Sequence, residues 1–279
     1  LNMSNPYTYI LLPEIKSKMP HIHTYDLIHN EEFDDTGWFG AAESFQDKVD
    51  TRIVISDFWK QVLVEKYKEP ADKVKVIKNY IDYRTKFVIN TEIKDELRRF
   101  YKIKDNVKVI GFIGRIDNQK QPNIFIWLAK KLTHRDDLVF VMIGDGPLLD
   151  SYQSQIGALN NLIQLPSTPV PQRMLNLFDI AVFPSLYEGY PMVGLECAAL
   201  NIPLIVPKIT GFDEQIKLGN FGLTYQPTNT KDDAIKIAAI LENQMEELMN
   251  LGKNGKTFIE EHHNSDEIEQ TIIDIFNQE

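Results

Sequence analysis

FPSLYEGYPMVGLECAALNIPLIV, from Phe183 to Val206, predicts the end of a buried strand, a tight turn, a helix and a second buried strand. The helix begins near Pro191, where a missing backbone N–H costs nothing. Glu188 and Glu196 interrupt this apolar run, and acidic residues are rarely placed there for packing alone. A helix N-terminus attracts phosphate, and a nearby carboxylate can accept hydrogen bonds from sugar hydroxyls. The stretch therefore predicts a pocket for a nucleotide sugar.

Around this stretch, strands alternate with helices over residues 107–226. The predicted strands are Lys108–Ile113, Leu138–Ile143, Leu162–Leu165, Asp179–Phe183, Pro203–Val206 and Gly222–Tyr225. The predicted helices are Pro122–Leu132, Leu148–Leu159, Pro171–Phe178, Met192–Leu200 and Phe212–Lys217. This alternation indicates right-handed βαβ units and a parallel sheet that is covered on both faces. We expect one complete Rossmann-like α/β domain here.

The beginning of the chain indicates an incomplete domain of the same type. Its predicted elements are Tyr7–Leu12 as a strand or a helix start, strands His23–His29 and Thr51–Ser56, and helices Phe58–Tyr67 and Asp95–Phe100. Three strands are too few for an independent doubly wound domain. The tail predicts two amphipathic helices, Lys231–Leu251 and Asp266–Phe276. We therefore predict a partial N-terminal domain over 1–88, a nucleotide-sugar-binding domain over 89–262 and a C-terminal helix over 263–279.

Composition excludes several classes of protein. The 279 residues carry a formal net charge of −10 and a pI near 5.2, which argues against a nucleic-acid binder. The single cysteine, Cys197, rules out an intramolecular disulfide and fits a reducing compartment, so a cytoplasmic location is expected. The sequence contains no run of 18 apolar residues, so no transmembrane helix is predicted. Contact with a membrane surface stays open.

Several motifs occur in an order that resembles retaining glycosyltransferases of family 4, which have the GT-B fold. They are Glu188-Gly189-Tyr190-Pro191 with Glu196, similar to the E-x(7)-E motif, Gly111–Arg115 with Lys120, similar to the GR…K segment, Gly144–Pro147, similar to GDGP, and Val76–Asp82, similar to the interdomain VIPNGVD. Lys78 and Tyr80 depart from the last of these. Motifs in the right order are more specific than any one alone.

The resemblance implies that the C-terminal helix over 263–279 crosses back to the first part. It also implies roles for the residues at the motif positions. Arg115 and Lys120, with Gly114, would hold the diphosphate, and two solvated surface cations are the alternative. Glu196 would bind the ribose hydroxyls, although an acid in a first helical turn is also favoured by the helix dipole. Glu188 would face the transferred sugar, or be an ordinary turn residue.

Backbone groups and one histidine complete the implied site. Gly189, Tyr190 and Met192 would offer backbone N–H groups beside Pro191, and Leu165 would lie where backbone groups cradle the base. His29 ends an apolar strand. At that position it would either point toward the transferred sugar or be a buried histidine with its hydrogen bonds satisfied within the protein, and the sequence favours neither.

The expected activity is sugar transfer from a nucleoside-diphosphate sugar to a glycan or lipid-linked acceptor hydroxyl, with retention of configuration and without a metal or other cofactor. Polysaccharide or glycoconjugate synthesis is the expected context. A Gly-rich donor loop is missing before Tyr7, so we expect the chain to begin midway through the first domain and its activity to need a preceding segment as partner. The alternatives are a non-catalytic nucleotide-sugar-binding module and a nucleotide-sugar epimerase. A third alternative is an NAD oxidoreductase, since Gly144 and Gly146 match part of the GxGxxG pattern. This indication is weak, because Leu149 replaces the third glycine.

Overall fold

The computed structural model describes residues 6–29 and 47–277, with side chains from Tyr9 onward. The chain divides into two compact units. The first unit contains the described residues up to Tyr80, the tripeptide Glu188–Tyr190 and the described residues from His263 onward. The second contains Ile81–Tyr187 and Pro191–His262.

These unit boundaries differ in part from the sequence-based division. The first boundary follows Tyr80, whereas the sequence predicts it after residue 88. The last boundary follows His262 in both. The assignment of Glu188–Tyr190 to the first unit, with both flanking segments in the second, was not anticipated by the sequence.

The first unit is built on a parallel sheet of strand order β1-β2-β3. The strands are β1 (Tyr25–Ile28), β2 (Thr51–Val54) and β3 (Val74–Val76). Its helices are α1 (Pro6–Lys18), α2 (Asp57–Glu65) and α12 (Ser265–Asn277). In this unit the Phe276 ring of α12 lies 4.5 Å from the Tyr25 ring of β1.

The core of the first unit contains a buried ionic cluster. Arg52, on β2, is 1% exposed and pairs with Asp26 of β1 and with Glu69. Its Nε lies 2.8 Å from Glu69 Oε1, and the Tyr9 hydroxyl donates to Asp26 at 2.6 Å. Burial raises the pKa of Asp26, while Arg52 opposes that increase. Breaking one partner of such a buried cluster is costly, because the remaining charges stay out of water.

The structure settles one alternative in the first unit and adds one strand. Tyr7–Leu12 lies within helix α1, so the helix alternative is confirmed and the strand alternative is wrong. Strand β3 was not predicted, because its three residues, VKV, are too few to show an alternating pattern. It nevertheless completes the sheet, since Arg52 of β2 pairs in register with Val74 of β3.

The second unit is built on a six-stranded parallel sheet of order β6-β5-β4-β7-β8-β9. The strands are β4 (Lys108–Ile113), β5 (Leu138–Ile143), β6 (Leu162–Leu165), β7 (Ile180–Val182), β8 (Leu204–Pro207) and β9 (Gly222–Tyr225). The helices are α3 (Thr91–Phe100), α4 (Pro122–Lys131), α5 (Leu149–Gly157), α6 (Pro171–Leu175), α7 (Met192–Ala199), α8 (Thr210–Gly219), α9 (Lys231–Asn243), α10 (Met245–Gly252) and α11 (Gly255–His262).

Aromatic side chains fix the packing of helix α4 on this sheet. Phe125 of α4 contacts Phe112 of β4, with ring centroids 5.6 Å apart, and Phe140 of β5, at 5.7 Å. All three side chains are fully buried. Pro122 occupies the first turn of α4, as the sequence predicts.

The prediction of a single helix over Lys231–Leu251 is wrong, because the structure has two helices there. Helix α9 ends at Asn243, and Gln244 leaves the helical region with φ −129° and ψ 16°. The apolar stripe that predicted one helix falls within α9. Helix α11 was not predicted.

The α/β class with parallel sheets is confirmed. Across the described ranges, 6–29 and 47–277, no helix has the length and apolar character needed to span a bilayer.

Candidate functional site

Strands β4 and β7 lie side by side at the centre of the second unit's sheet. From β4 the chain builds outward through β5 and β6, then returns to β7 and builds the other way through β8 and β9. Open α/β sheets bind ligands at the carboxyl ends of the strands where this direction reverses. The candidate site of this unit is therefore at the carboxyl ends of β4 and β7.

The loop after β4 carries both predicted cations. Arg115 is 71% exposed, and its Nε lies 3.6 Å from Asp117 Oδ2. Lys120 is half-buried, and its backbone N–H donates to Asp117 Oδ1 at 3.1 Å. A Cβ on Gly114 would lie 4.0 Å from Lys120 Cγ. The structure thus brings Gly114, Arg115 and Lys120 together in one loop that folds around Asp117.

The loops after β4 and β7 are hydrogen-bonded to each other. The Leu186 N–H donates to the Gln119 carbonyl at 2.7 Å, and Gln119 Nε2 donates to the Tyr187 carbonyl at 3.1 Å. These bonds hold the Lys120 loop against the residues that lead into Glu188.

Ser185, in the same loop after β7, was not noticed in the sequence. It is 1% exposed, and its hydroxyl has no hydrogen-bond partner among the described residues. Buried polar groups are normally satisfied, so a ligand contact is a physical reason for this one. The only sequence signal is its position just past the end of an apolar strand.

The loop after β5 packs closely on the loop after β4. The Ile116 N–H donates to the Asp145 carbonyl at 2.9 Å. Gly144 has φ +148°, and a Cβ there would lie 1.9 Å from the Gly114 carbonyl oxygen. Only glycine fits this position. The Gly144–Pro147 segment is therefore a tight turn after a strand, which supports the Gly114 loop.

The backbone carbonyl of Leu165, at the end of β6, accepts hydrogen bonds from other groups of the protein. That oxygen accepts hydrogen bonds from the Gly144 N–H at 3.0 Å and from Gln164 Nε2 at 2.8 Å. Asp145 Oδ2 accepts from the Ser167 N–H at 2.8 Å and holds the following loop. The loops after β4, β5 and β6 form one connected rim, and the role of Leu165 toward a base stays a prediction.

The N-terminus of helix α7 is held by a buried glutamine. The Pro191 carbonyl accepts from the Gly194 N–H at 3.1 Å and from Gln215 Nε2 at 2.9 Å. Gln215 is fully buried, and a Cβ on Gly194 would lie 2.0 Å from its Oε1. The first N–H groups of a helix have no intrahelical partner, and they attract negative charge. Met192, in this first turn, is 40% exposed.

Glu196, on α7, is a half-buried carboxylate without a protein donor. No hydrogen bond or ion pair reaches it from the described residues. Burial raises the pKa of Glu196 from 4.5 to about 7. A carboxylate in such an environment is stabilised by any ligand that supplies hydroxyl donors. Its neighbour Cys197 is fully buried, and burial raises the pKa of its thiol, which fits the predicted packing role.

The remaining predicted residues lie in the first unit. The Gly189 carbonyl accepts from Trp59 Nε1 at 3.1 Å, and the Tyr190 carbonyl accepts from Asn79 Nδ2 at 3.2 Å. Tyr190 is 4% exposed, and Glu188 is half-buried. Trp59 and Asn79 were not singled out as site residues in the sequence.

His29 directly follows β1 and is exposed. The interpretation as a satisfied buried histidine is therefore wrong. Its role toward a sugar stays a prediction.

Comparison with known proteins supplies the family. The family model described as "Glycosyl transferases group 1" matches residues 93–258, more than half of the chain. The chain belongs to the group 1 glycosyltransferases. This match covers most of the second unit, including the β4 loop and helix α7. The finer assignment to retaining family 4 stays a prediction.

Two curated relatives are similar over long stretches. A glycosyltransferase of Methanocaldococcus jannaschii, MJ1607, is 25% identical over 276 residues, which covers 93% of this chain and 69% of the relative. An Escherichia coli enzyme, UDP-Gal:alpha-D-GlcNAc-diphosphoundecaprenol alpha-1,3-galactosyltransferase, is 32% identical over 178 residues, 61% of this chain and 46% of that enzyme. The aligned region thus spans less than half of the E. coli enzyme.

Solved structures share the fold. Anabaena HepE in complex with UDP and glucose superposes with a TM-score of 0.81 at 17% identity, over 100% of this chain and 77% of HepE. WaaG, a glycosyltransferase involved in lipopolysaccharide biosynthesis, gives a TM-score of 0.71 at 12% identity, over 97% of this chain and 82% of WaaG. The group 1 chain therefore has the GT-B glycosyltransferase fold.

Proposed function

We propose that this group 1 glycosyltransferase transfers a sugar from a nucleoside-diphosphate sugar to an acceptor hydroxyl with retention of configuration, in polysaccharide or glycoconjugate synthesis. The observation that carries the proposal is the convergence at the β4/β7 reversal. There a loop with two cations is hydrogen-bonded to the loop that leads into Glu188 and on to helix α7.

The diphosphate is the first group that needs binding. Its negative charge grows as the bond to the sugar breaks, so donors fixed in advance stabilise the transition state. Arg115, Lys120 and the N-terminus of α7 are such donors. We therefore expect the basic loop to stabilise the leaving group without a metal ion.

The ribose is assigned to Glu196. Its carboxylate is desolvated and receives no hydrogen bond from the described residues, so two ribose hydroxyls would restore the lost solvation. A ligand that binds both Glu196 and the basic loop needs hydroxyl groups and a diphosphate, which is the chemistry of a nucleotide sugar.

The transfer step follows from analogy with the family. The bond between the anomeric carbon and the diphosphate oxygen breaks as the acceptor oxygen bonds to that carbon on the same face. The acceptor proton passes to the leaving diphosphate. Glu188 is assigned to the transferred sugar, with His29 as a second contact.

A thermal-shift screen of UDP-, GDP-, ADP- and dTDP-sugars tests the proposal. A ligand that binds only the folded protein raises Tm, by the equivalent of about 2.7 kcal/mol at a hundredfold excess over Kd. Lys120→Ala should weaken binding at least tenfold. Lys256→Ala is the matched control, because it removes a lysine that is not assigned to the site. The Lys256 side chain on helix α11 is 56% exposed, and its Nζ lies 3.9 Å from Glu260 Oε1.

The outcomes separate the candidates. Binding with release of free sugar or transfer to an acceptor supports the glycosyltransferase. Binding without turnover supports a nucleotide-sugar-binding module. The absence of binding by any of the four classes, or equal binding by Lys120→Ala, contradicts the assigned site.

A further inference from the structure

Tyr190 takes part in a closed cycle of hydrogen bonds within the first unit. Its hydroxyl lies 2.7 Å from His263 Nε2, and His263 Nδ1 lies 2.7 Å from the Asn79 carbonyl oxygen. Asn79 Nδ2 then donates to the Tyr190 carbonyl at 3.2 Å. Tyr190, His263 and Asn79, which are far apart in sequence, thus form one ring of hydrogen bonds.

The chemistry of the ring assigns each proton. A carbonyl oxygen can only accept, so His263 Nδ1 must carry a hydrogen and donate to Asn79. In the neutral imidazole, Nε2 is then the acceptor, and the Tyr190 hydroxyl donates to it. His263 is fully buried and Tyr190 is 4% exposed, so water does not compete for the bond between them, while Asn79 is half-buried. The cycle is therefore specified by its donors and acceptors and not only by shape.

A fourth contact fixes the peptide before Tyr190. Trp59, which is 2% exposed, donates its indole N–H to the Gly189 carbonyl at 3.1 Å. A trans peptide is planar, and its C=O and N–H point in opposite directions. Holding the Gly189 oxygen on one side therefore fixes the direction of the Tyr190 N–H. Because Gly189 itself has a permissive backbone, this orientation needs an external partner.

Stability alone does not require this arrangement. Replacing both partners of a buried hydrogen bond by apolar groups of similar shape is often nearly neutral. Three hydrogen bonds on the tripeptide, with a fourth that joins His263 to Asn79, define a single orientation, and orientation is what a group beside the reacting sugar needs.

We propose that Trp59, Asn79 and His263 are positioning residues that hold Glu188–Tyr190 in the orientation required for sugar transfer. This inference rests on the proposed function, and it adds residues to which that function assigns no contact with donor or acceptor. The ring should act on the rate of the chemical step, because Lys120 and Glu196, which are assigned to the nucleotide, belong to the second unit.

Two substitutions at His263 separate its two hydrogen bonds. In His263→Asn, the side-chain amide can replace the Nδ1 donor to Asn79 but cannot reach Tyr190. In His263→Gln, the longer side chain places an acceptor near the Tyr190 hydroxyl. Tyr190→Phe removes only that hydroxyl. Tyr225→Phe is the matched control, because Tyr225 is 6% exposed and its hydroxyl has no hydrogen-bond partner among the described residues.

Two readouts are measured on each variant. The first is kcat and KM for UDP-glucose hydrolysis or transfer. We expect kcat to fall about tenfold or more in Tyr190→Phe and His263→Asn, with KM unchanged and with partial recovery in His263→Gln. The second is hydrogen–deuterium exchange of peptides that cover residues 186–193, which should become faster in the first two variants and stay as in wild type in Tyr225→Phe.

The second readout keeps this inference separate from the proposed function. If wild type neither binds nor turns over a nucleotide sugar, the proposed function fails, and local exchange still decides whether the ring orders the tripeptide. If His263→Asn has the same kcat and the same rate of exchange at residues 186–193 as wild type, the inference is overturned. A uniform increase of exchange throughout the first unit also overturns it, because His263 would then serve folding alone.

Discussion

Replacing Glu196 by glutamine should stabilise the protein at pH 8 while it weakens donor binding. Burial raises the pKa of Glu196 from 4.5 to about 7. A group whose pKa is higher in the folded state than in the unfolded state contributes stability below its unfolded value, and this contribution disappears as the pH rises through its folded value. The relevant window is therefore pH 4.5 to 7.

The magnitude follows from the two pKa values. Their difference of about 2.5, at about 1.4 kcal/mol for each pKa unit, corresponds to about 3 kcal/mol. Wild type should lose up to this amount relative to Glu196→Gln between pH 4.5 and pH 8. The two proteins should be about equally stable near pH 4, where Glu196 is neutral.

Urea denaturation of both proteins at pH 5 and pH 8 measures the difference, because all other titrations cancel between them. Glu260→Gln, at an exposed glutamate on helix α11, is the matched control substitution. A difference between wild type and Glu196→Gln that is the same at both pH values would contradict the raised pKa of Glu196.

Donor binding provides the second half of the test. Calorimetry should use UDP-glucose, since the terminal phosphate of a free diphosphate would itself titrate near pH 6. Hydrogen bonds to a charged acceptor are about twice as strong as neutral ones, so Glu196→Gln should bind at least tenfold more weakly at pH 8. At pH 6 roughly a tenth of Glu196 is ionised in the free protein, so the gap between the two proteins should shrink. Equal affinities at pH 8 would refute the assignment of Glu196 to the donor.

Two further substitutions test other parts of the molecule. Ser185→Ala should leave the free energy of unfolding unchanged or raise it, because it removes a buried hydroxyl without a partner, and it should weaken UDP-glucose binding; unchanged calorimetric affinity would exclude a ligand contact. Arg52→Met should destabilise the first unit by about 3–5 kcal/mol in urea denaturation, because Asp26 and Glu69 would remain buried without their cation, and a loss below 1 kcal/mol would contradict this view of the cluster.

Local sequence patterns predicted the second unit well. Strands such as Leu138–Ile143 are continuous apolar runs, and Pro122 marks the start of a helix, so their bounds were predicted to within a residue or two. The order of the glycine, basic and acidic motifs predicted a glycosyltransferase, and the group 1 match over residues 93–258 confirms that much, while the finer assignment to retaining family 4 stays a prediction. Such features are readable because each depends on neighbours within about ten residues.

Features that depend on distant residues could not be predicted in this way. Strand β3 is too short to show a period, and it forms because β2 offers it hydrogen-bonding partners. Tyr190 and His263 are 73 positions apart, and Asn79 and His263 are 184 apart. The sequence by itself determined which residue types follow the strands of the second unit. Only the tertiary structure decided which side chains hold Glu188–Tyr190, because hydrogen bonds between distant segments leave no periodic pattern in the chain.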